Sequence, residues 1–311
     1  MRMLNNPWIK RAAIAAVVST VTLSFGCGKK SGGEKGVTET IKSGEKKTIQ
    51  NIGSDTMVNL AQAWAEEYAK IDPSVSVEVS GGGSGIGIAA LINGTADVAN
   101  ASRRLEPEEI KRAKAQTGDK PREYMVAYDA ISIFVHKDNP LNEISVDELA
   151  EIYKETGKIT KWSQLGVTQL PGAKGDDIIR VNRQNNSGTY HYFREAVLGH
   201  NSDFKSGSLD MNGSKDVIDL VAKTPNAIAY AGLGYATEAV KVLKVSKKKG
   251  EPAIMPSIAT TLDKSYPIAR PMFMYTPGEP PEHVKKYLDW IHADAGQRVV
   301  EISGYIPLPS R

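Results

Sequence analysis

Three short segments carry the residue types with which a protein can hold an anion. They are Gly53-Ser54-Asp55-Thr56, Gly81-Gly82-Gly83-Ser84-Gly85 and Asn185-Asn186-Ser187-Gly188-Thr189. Each follows a stretch that reads as a strand and precedes one that reads as a helix. At such a junction the first helical N–H groups have no intrahelical partner, and the helix dipole places partial positive charge there. Gly lets a ligand approach the main chain, while Ser and Thr add hydroxyl donors. Arg103, after the strand 97–101, and Arg183, opening the third loop, could add charge in a forked geometry that suits a tetrahedral oxyanion. Taken singly, each loop also has a plainer reading, the Gly run as a tight turn and the Ser or Thr as a helix N-cap. Nucleotide readings fail on spacing: Gly83–Gly87 lacks the last Gly of GxGxxG, and no GK[ST] follows.

Catalysis finds less support. His191 stands four residues after Ser187, but no GxSxG elbow surrounds that Ser, and His191 reads as a helix-surface or packing residue. His136, His191, His200, His283 and His292 show no HExxH or short paired spacing, so no metal site is expected. Cys27 is the only cysteine, which excludes an intrachain disulfide and a thiolate cluster. No cofactor is implied. Arg2, Lys10 and Arg11 account for the whole formal net charge of +3. The remainder is balanced and has no basic stripe, which argues against nucleic-acid binding.

The N-terminus reads as an export signal over residues 1–26: a positive n-region to Arg11, an apolar h-region Ala12–Phe25, then Gly26-Cys27. A lone Cys after such a region resembles a bacterial lipobox, so Cys27 is expected to be acylated, although Leu23 stands one place earlier than a lipobox favours. An ordinary cleaved signal is the alternative. Residues 27–47 then form a flexible, lipid-anchored tether of Gly, Ser, Lys and Glu.

From Thr48 onward the elements that would position the three loops alternate. A strand at 48–52 precedes a helix marked by Met57, Leu60, Ala61, Trp64 and Tyr68, and Asp72-Pro73 stops it. Val75, Val77 and Val79 have the period of a strand. A short helix at 86–92, a strand at 97–101 and a charged helix at 106–116 complete a unit that predicts a largely parallel sheet. A second unit has a strand-rich run at 124–136, a helix at 145–153 capped by Ser145 and Glu148, and a strand at 178–182. It continues with helices at 190–198 and 215–222 and a strand at 227–231. A strand at 271–275 and a helix at 281–293 close the chain.

These loops, in this order, resemble the phosphate-binding subunit of phosphate ABC transporters, the PstS type. The landmarks are IQNIGSDTM at 49–57, VSGGGSGIG at 79–87, ADVANASR at 96–103, KITKWSQL at 158–165, VNRQNNSGTYHYF at 181–193, TPNAIAY at 224–230 and GYIPLP at 304–309. The most specific is Arg-x-x-x-Ser-Gly-Thr at 183–189. The resemblance implies a two-lobed α/β periplasmic-binding-protein fold of type II character, with phosphate in the cleft between lobes. One lobe would comprise 48–127 and 266–311, the other 128–265. Matching positions imply phosphate contacts from Ser54, Asp55, Thr56, Ser84, Arg183, Ser187, Gly188 and Thr189, with Ser102 and Arg103 beside them. Some members carry an Asp where Ser102 stands, and it accepts the proton of hydrogen phosphate. Asp55 is the expected substitute here, held by Arg103 or Arg183. The implied partners are a permease and an ATPase, with membrane contact only through the anchor, on the periplasmic or cell-surface side. Other oxyanions (sulfate, molybdate, tungstate) and a surface phosphatase are the alternatives.

Overall fold

The computed structural model describes residues 46–309. The export signal, Cys27 and the tether as far as residue 45 lie outside them.

The first strand, β1 (Lys47–Gly53), alternates exposed and buried positions and leads through a single 3-10 turn, Asp55–Met57, into α1 (Val58–Ile71). Leu60, Ala61, Trp64 and Tyr68 form the buried stripe of α1, as the helical spacing predicts. Next come β2 (Val75–Ser80), α2 (Ser84–Ile92), β3 (Val98–Ala101) and α3 (Pro107–Thr117). The α2 helix begins at Ser84, two residues before the expected start. Its N-cap Gly83 has φ +101°, a conformation that L side chains rarely adopt.

The 15-residue strand β4 (Arg122–His136) carries the chain into a second set of elements: β5 (Glu143–Ser145), α4 (Val146–Tyr153), β6 (Ile179–Arg183), α5 (Gly188–Phe193), β7 (Leu209–Met211) and α6 (Ser214–Lys223). After α5 the chain continues through a π-helical stretch, Arg194–Leu198. The set ends with β8 (Ala227–Gly232), β9 (Val240–Val242), β10 (Lys244–Ser246) and α7 (Ile258–Leu262). Every residue of β8 is buried, as befits a strand covered on both faces. The chain then returns through β11 (Ala269–Thr276) to α8 (Glu282–His292) and α9 (Asp294–Ile302). The sequence gives no expectation of α9 or of the three-residue strands.

The main sheet has the order β2-β1-β3-β11-β4-β8-β6-β7, with β9 added to β4. Its two ends are parallel: β2-β1-β3 on one side and β8-β6-β7 on the other. Its centre is not. β11 runs antiparallel to both β3 and β4, and β4 runs antiparallel to β8. The largely parallel sheet expected for the first unit is therefore mixed. The chain leaves by β4 and comes back by β11, and neighbours that cross in opposite directions must pair antiparallel.

Buried apolar side chains separate along the same line. Residues from Ile49 to Ala127 and from Met272 to Tyr305 pack together in two clusters, one around Trp64 and Tyr287 and one around Leu91 and Phe273. Residues from Ala130 to Ile268 form two others, around Trp162 and Phe193 and around Phe134 and Val217, joined only by Ile306 from the C-terminal end.

Candidate functional site

The three loops meet. Ser54, Thr56, Ser84, Ser102, Ser187 and Thr189 are all buried, although they lie up to 135 positions apart in the chain. Ser54 Oγ donates to Ser102 Oγ at 2.8 Å, and the Ser102 amide donates to Ser84 Oγ at 3.0 Å. The hydroxyls of Thr56 and Thr189 share a hydrogen bond of 2.6 Å. Ser187 N-caps α5 by accepting from Thr189 N at 3.1 Å. Gly188 sits against Ser84 and Ser102, where a side chain would collide with both hydroxyls. A second tie joins the loops: Gly85 N donates to the Asn186 carbonyl (3.1 Å), and Asn186 Nδ2 donates to the Gly82 carbonyl (2.9 Å). Hydroxyls, main-chain N–H groups and two helix starts thus converge in one buried place, a donor-rich environment suited to an anion.

Arg183, at the end of β6, is fully buried. Its guanidinium donates to Ser214 Oγ and to the Asn212 carbonyl, each at 2.9 Å, and to Asp55 Oδ2 at 3.3 Å. Nε has no partner among the described residues. Burial pulls the Arg183 group below its ordinary value, with Asp55 opposing that pull. Asp55 is also engaged through Oδ1, which accepts from Gly82 N at 2.8 Å. Tyr235 steadies this loop by donating to the Asp55 carbonyl at 2.5 Å, and burial pushes its phenol up to about 12. Tyr305 donates similarly to the Thr56 carbonyl.

The structure does not bring Arg103 into this cluster. Its guanidinium forms a two-pronged pair with Glu109 of α3, at 2.8 and 2.7 Å. Of the two arginines expected to hold Asp55, only Arg183 reaches it. The reason is local: α3 opens three residues after Arg104, and Glu109 completes its capping box by accepting from Glu106 N, which fixes a carboxylate beside Arg103. His191 Nε2 contacts the Asn185 carbonyl at 2.7 Å while the Ser187 hydroxyl serves Thr189, so the two do not form a nucleophile–base couple.

A second arginine occupies the place that Arg103 does not. Arg270, in β11 and 2% exposed, donates through Nη1 to the Ser102 carbonyl and through Nη2 to Thr189 Oγ1, both at 2.8 Å. Its counter-ion is Asp129 of β4, 3.1 Å away, and its guanidinium lies 5.4 Å from the Tyr192 ring centroid. A cleft of about 470 Å³ opens beside Ser102 and Arg270, with Arg103, His191 and Tyr192 also in its wall. Neither Arg270 nor Asp129 stands in a recognisable motif. The one available signal was a charged residue inside each of two apolar strands. Among the described residues, no cluster of His, Cys, Asp and Glu could hold a metal ion, and no helix is long and apolar enough to cross a membrane.

A mixed sheet crossed twice by the chain, with helix starts converging where its two halves meet, is the build of a binding-protein fold. Residues 38–295 match the family model described as PBP superfamily domain. The chain is 33% identical over 279 residues to the phosphate-binding protein PstS of Pseudomonas aeruginosa, covering 86% of this chain and 85% of that protein. It is 28% identical to the PstS of Bacillus subtilis, covering 96% and 94%. Among solved structures, one from Clostridium perfringens, described as the substrate-binding protein of a phosphate ABC transporter with bound phosphate, aligns with a TM-score of 0.75. The identity is 28%, over 84% of this chain and all of that one. The chain belongs to the PBP superfamily and, within it, to the family of the PstS phosphate-binding proteins.

Proposed function

We propose that this protein captures inorganic phosphate outside the cytoplasmic membrane and delivers it to the permease and ATPase of an ABC importer. One observation carries the reading: the hydroxyls of Ser54, Thr56, Ser84, Ser102, Ser187 and Thr189 are gathered in a buried site built around three loops, to which the guanidinium of Arg183 is tied through Asp55. Such a site binds an anion with neutral dipoles and one fork of charge, and it leaves no activated nucleophile for turnover. The names of the relatives from Pseudomonas aeruginosa and Bacillus subtilis, and the bound phosphate of the Clostridium perfringens structure, support phosphate as the anion. In this reading the ligand contacts come from Ser54, Asp55, Thr56, Ser84, Ser102, Arg183, Ser187, Gly188 and Thr189.

Two lobes, 48–127 with 266–311 and 128–265, close on the ligand about the crossings β4 and β11. The separation of the buried clusters close to that boundary supports this division, although Tyr266, Ile268 and Ile306 pack with the second lobe. Cys27, acylated after removal of residues 1–26, tethers the protein to the membrane. Mass spectrometry of the mature N-terminus checks that point: an unmodified Cys27 sinks it. Titration calorimetry of the mature protein with phosphate, sulfate and molybdate tests the main reading. Binding of phosphate in preference to the other two is expected, and binding of sulfate or molybdate without phosphate overturns it.

A further inference from the structure

A second pocket, of about 500 Å³, is lined wholly by residues between Asn182 and Asp210. Its volume falls within the roughly 300–1,000 Å³ of small-molecule sites. It shares no lining residue with the anion contacts described above.

The floor of this pocket is built by two neighbouring strands. Asn182 of β6 is 3% exposed, and its Oδ1 is occupied twice, accepting from Arg183 N at 2.9 Å and from the Tyr230 hydroxyl. Two donors on one oxygen decide which end of the amide is which. They leave Nδ2, which has no acceptor among the described residues, for the pocket that Asn182 lines. Asp210 of β7 is the register partner of Asn182 in a parallel pair, so the two side chains stand side by side on one face of the sheet. A free amide donor thus lies next to an exposed carboxylate acceptor.

The walls add two kinds of surface. Gln184 and Asn185 supply exposed amides that can both donate and accept. Tyr190 and Phe204 supply an apolar wall, with ring centroids 4.6 Å apart. Lys205 is the one cation of the lining, and its ammonium already donates to the Gly157 carbonyl. Lys205 and Asp210 leave the lining neutral overall, and the exposed charge is the carboxylate, which disfavours an anion. What fits is an uncharged molecule with adjacent groups that donate and accept, and with an apolar face. A sugar hydroxyl does both, and the C–H face of a pyranose ring packs on aromatic side chains.

We propose that this pocket is a second ligand site that takes a neutral saccharide, with Asp210 accepting from one hydroxyl, Asn182 Nδ2 donating to the next and the Tyr190–Phe204 wall packing against the ring. Because the two sites share no contact residue, the saccharide and the anion bind without competing.

Saturation-transfer-difference NMR on the mature protein, with and without phosphate, is the test, using glucose, galactose, N-acetylglucosamine and maltose as probes. Transfer to the ring protons of at least one probe is expected, equally in the presence of phosphate. Asp210→Ala removes an exposed side chain and should weaken that binding by roughly tenfold or more, while calorimetry finds phosphate affinity unchanged. A response from maltose alone identifies a glycan chain as the ligand, and one from the monosaccharides a free sugar; either supports the site. Transfer to none of the four probes overturns the proposal. So does a saccharide displaced by phosphate, which would sit in the anion site, or binding that is unaltered in both Asp210→Ala and Phe204→Ala.

Discussion

Replacing Arg183 by Lys isolates what the fork of a guanidinium contributes at this site. Arg183 is fully enclosed and already spends donors on Ser214 Oγ and the Asn212 carbonyl at 2.9 Å and on Asp55 at 3.3 Å. Its Nε, without a partner among the described residues, is the donor that a bound oxyanion is expected to engage. A lysine ammonium has a single nitrogen and three hydrogens, so it cannot serve Ser214, Asn212, Asp55 and an anion together. At least one charge-assisted hydrogen bond to the ligand should be lost, about 1.5–3 kcal/mol, which is roughly 10- to 140-fold in dissociation constant. Titration calorimetry with phosphate measures it, and thermal unfolding without phosphate checks that the variant remains folded. Ser214→Ala serves as a milder companion, since it removes only a hydroxyl that orients the guanidinium, with an expected loss of about 1 kcal/mol. A folded Arg183→Lys protein that binds phosphate within about twofold of wild type, well inside the loss expected for one such bond, would refute a direct contact.

Two further outcomes follow from the same geometry. Gly188→Ala places a methyl against the hydroxyls of Ser84 and Ser102 and should lower phosphate affinity by roughly tenfold or more while the circular dichroism spectrum is retained; unchanged affinity would show that these loops do not close on the ligand. Arg103→Ala should leave phosphate binding intact and act on stability instead. Burial pushes the Glu109 carboxyl up, but the Arg103 guanidinium and the Glu106 amide outweigh it and hold Glu109 below the usual carboxylate range. A carboxyl whose folded pKa is depressed contributes stability that is present above its unfolded value and lost as pH falls through the folded one. Urea unfolding should therefore find Arg103→Ala less stable than wild type by about 1 kcal/mol at neutral pH, with the gap closing under acid conditions. A gap that does not vary with pH would contradict this account of the pair.

The chemistry of the three loops could be read from the chain because it is local. Strand, small or hydroxyl residues, then helix is a pattern complete within about ten positions, and the physics of a helix start makes such a pattern meaningful without knowledge of the rest of the fold. Hydrophobic periodicity likewise marked α1 and β2, whereas β4 was legible as an apolar run, and it is buried without a break from Asp129 to Val135. Arg183 was legible because the loop that it opens has its own spacing.

Tertiary structure alone decided which other charges share the site. Arg103 and Arg270 cannot be ranked by sequence context. Arg103 even follows a loop-bearing strand, yet Glu109 claims it once α3 forms, while Arg270 sits in an otherwise apolar strand with no motif around it. The deciding fact is that β11 inserts between β3 and β4, which sets Arg270 beside Asp129, a residue 141 positions earlier, and beside Ser102 and Thr189. A strand's order in a sheet depends on long-range pairing and on the faces of elements far away in the chain. Those interactions leave no periodicity in the strand itself, so only the folded chain determines which buried acid and base become neighbours.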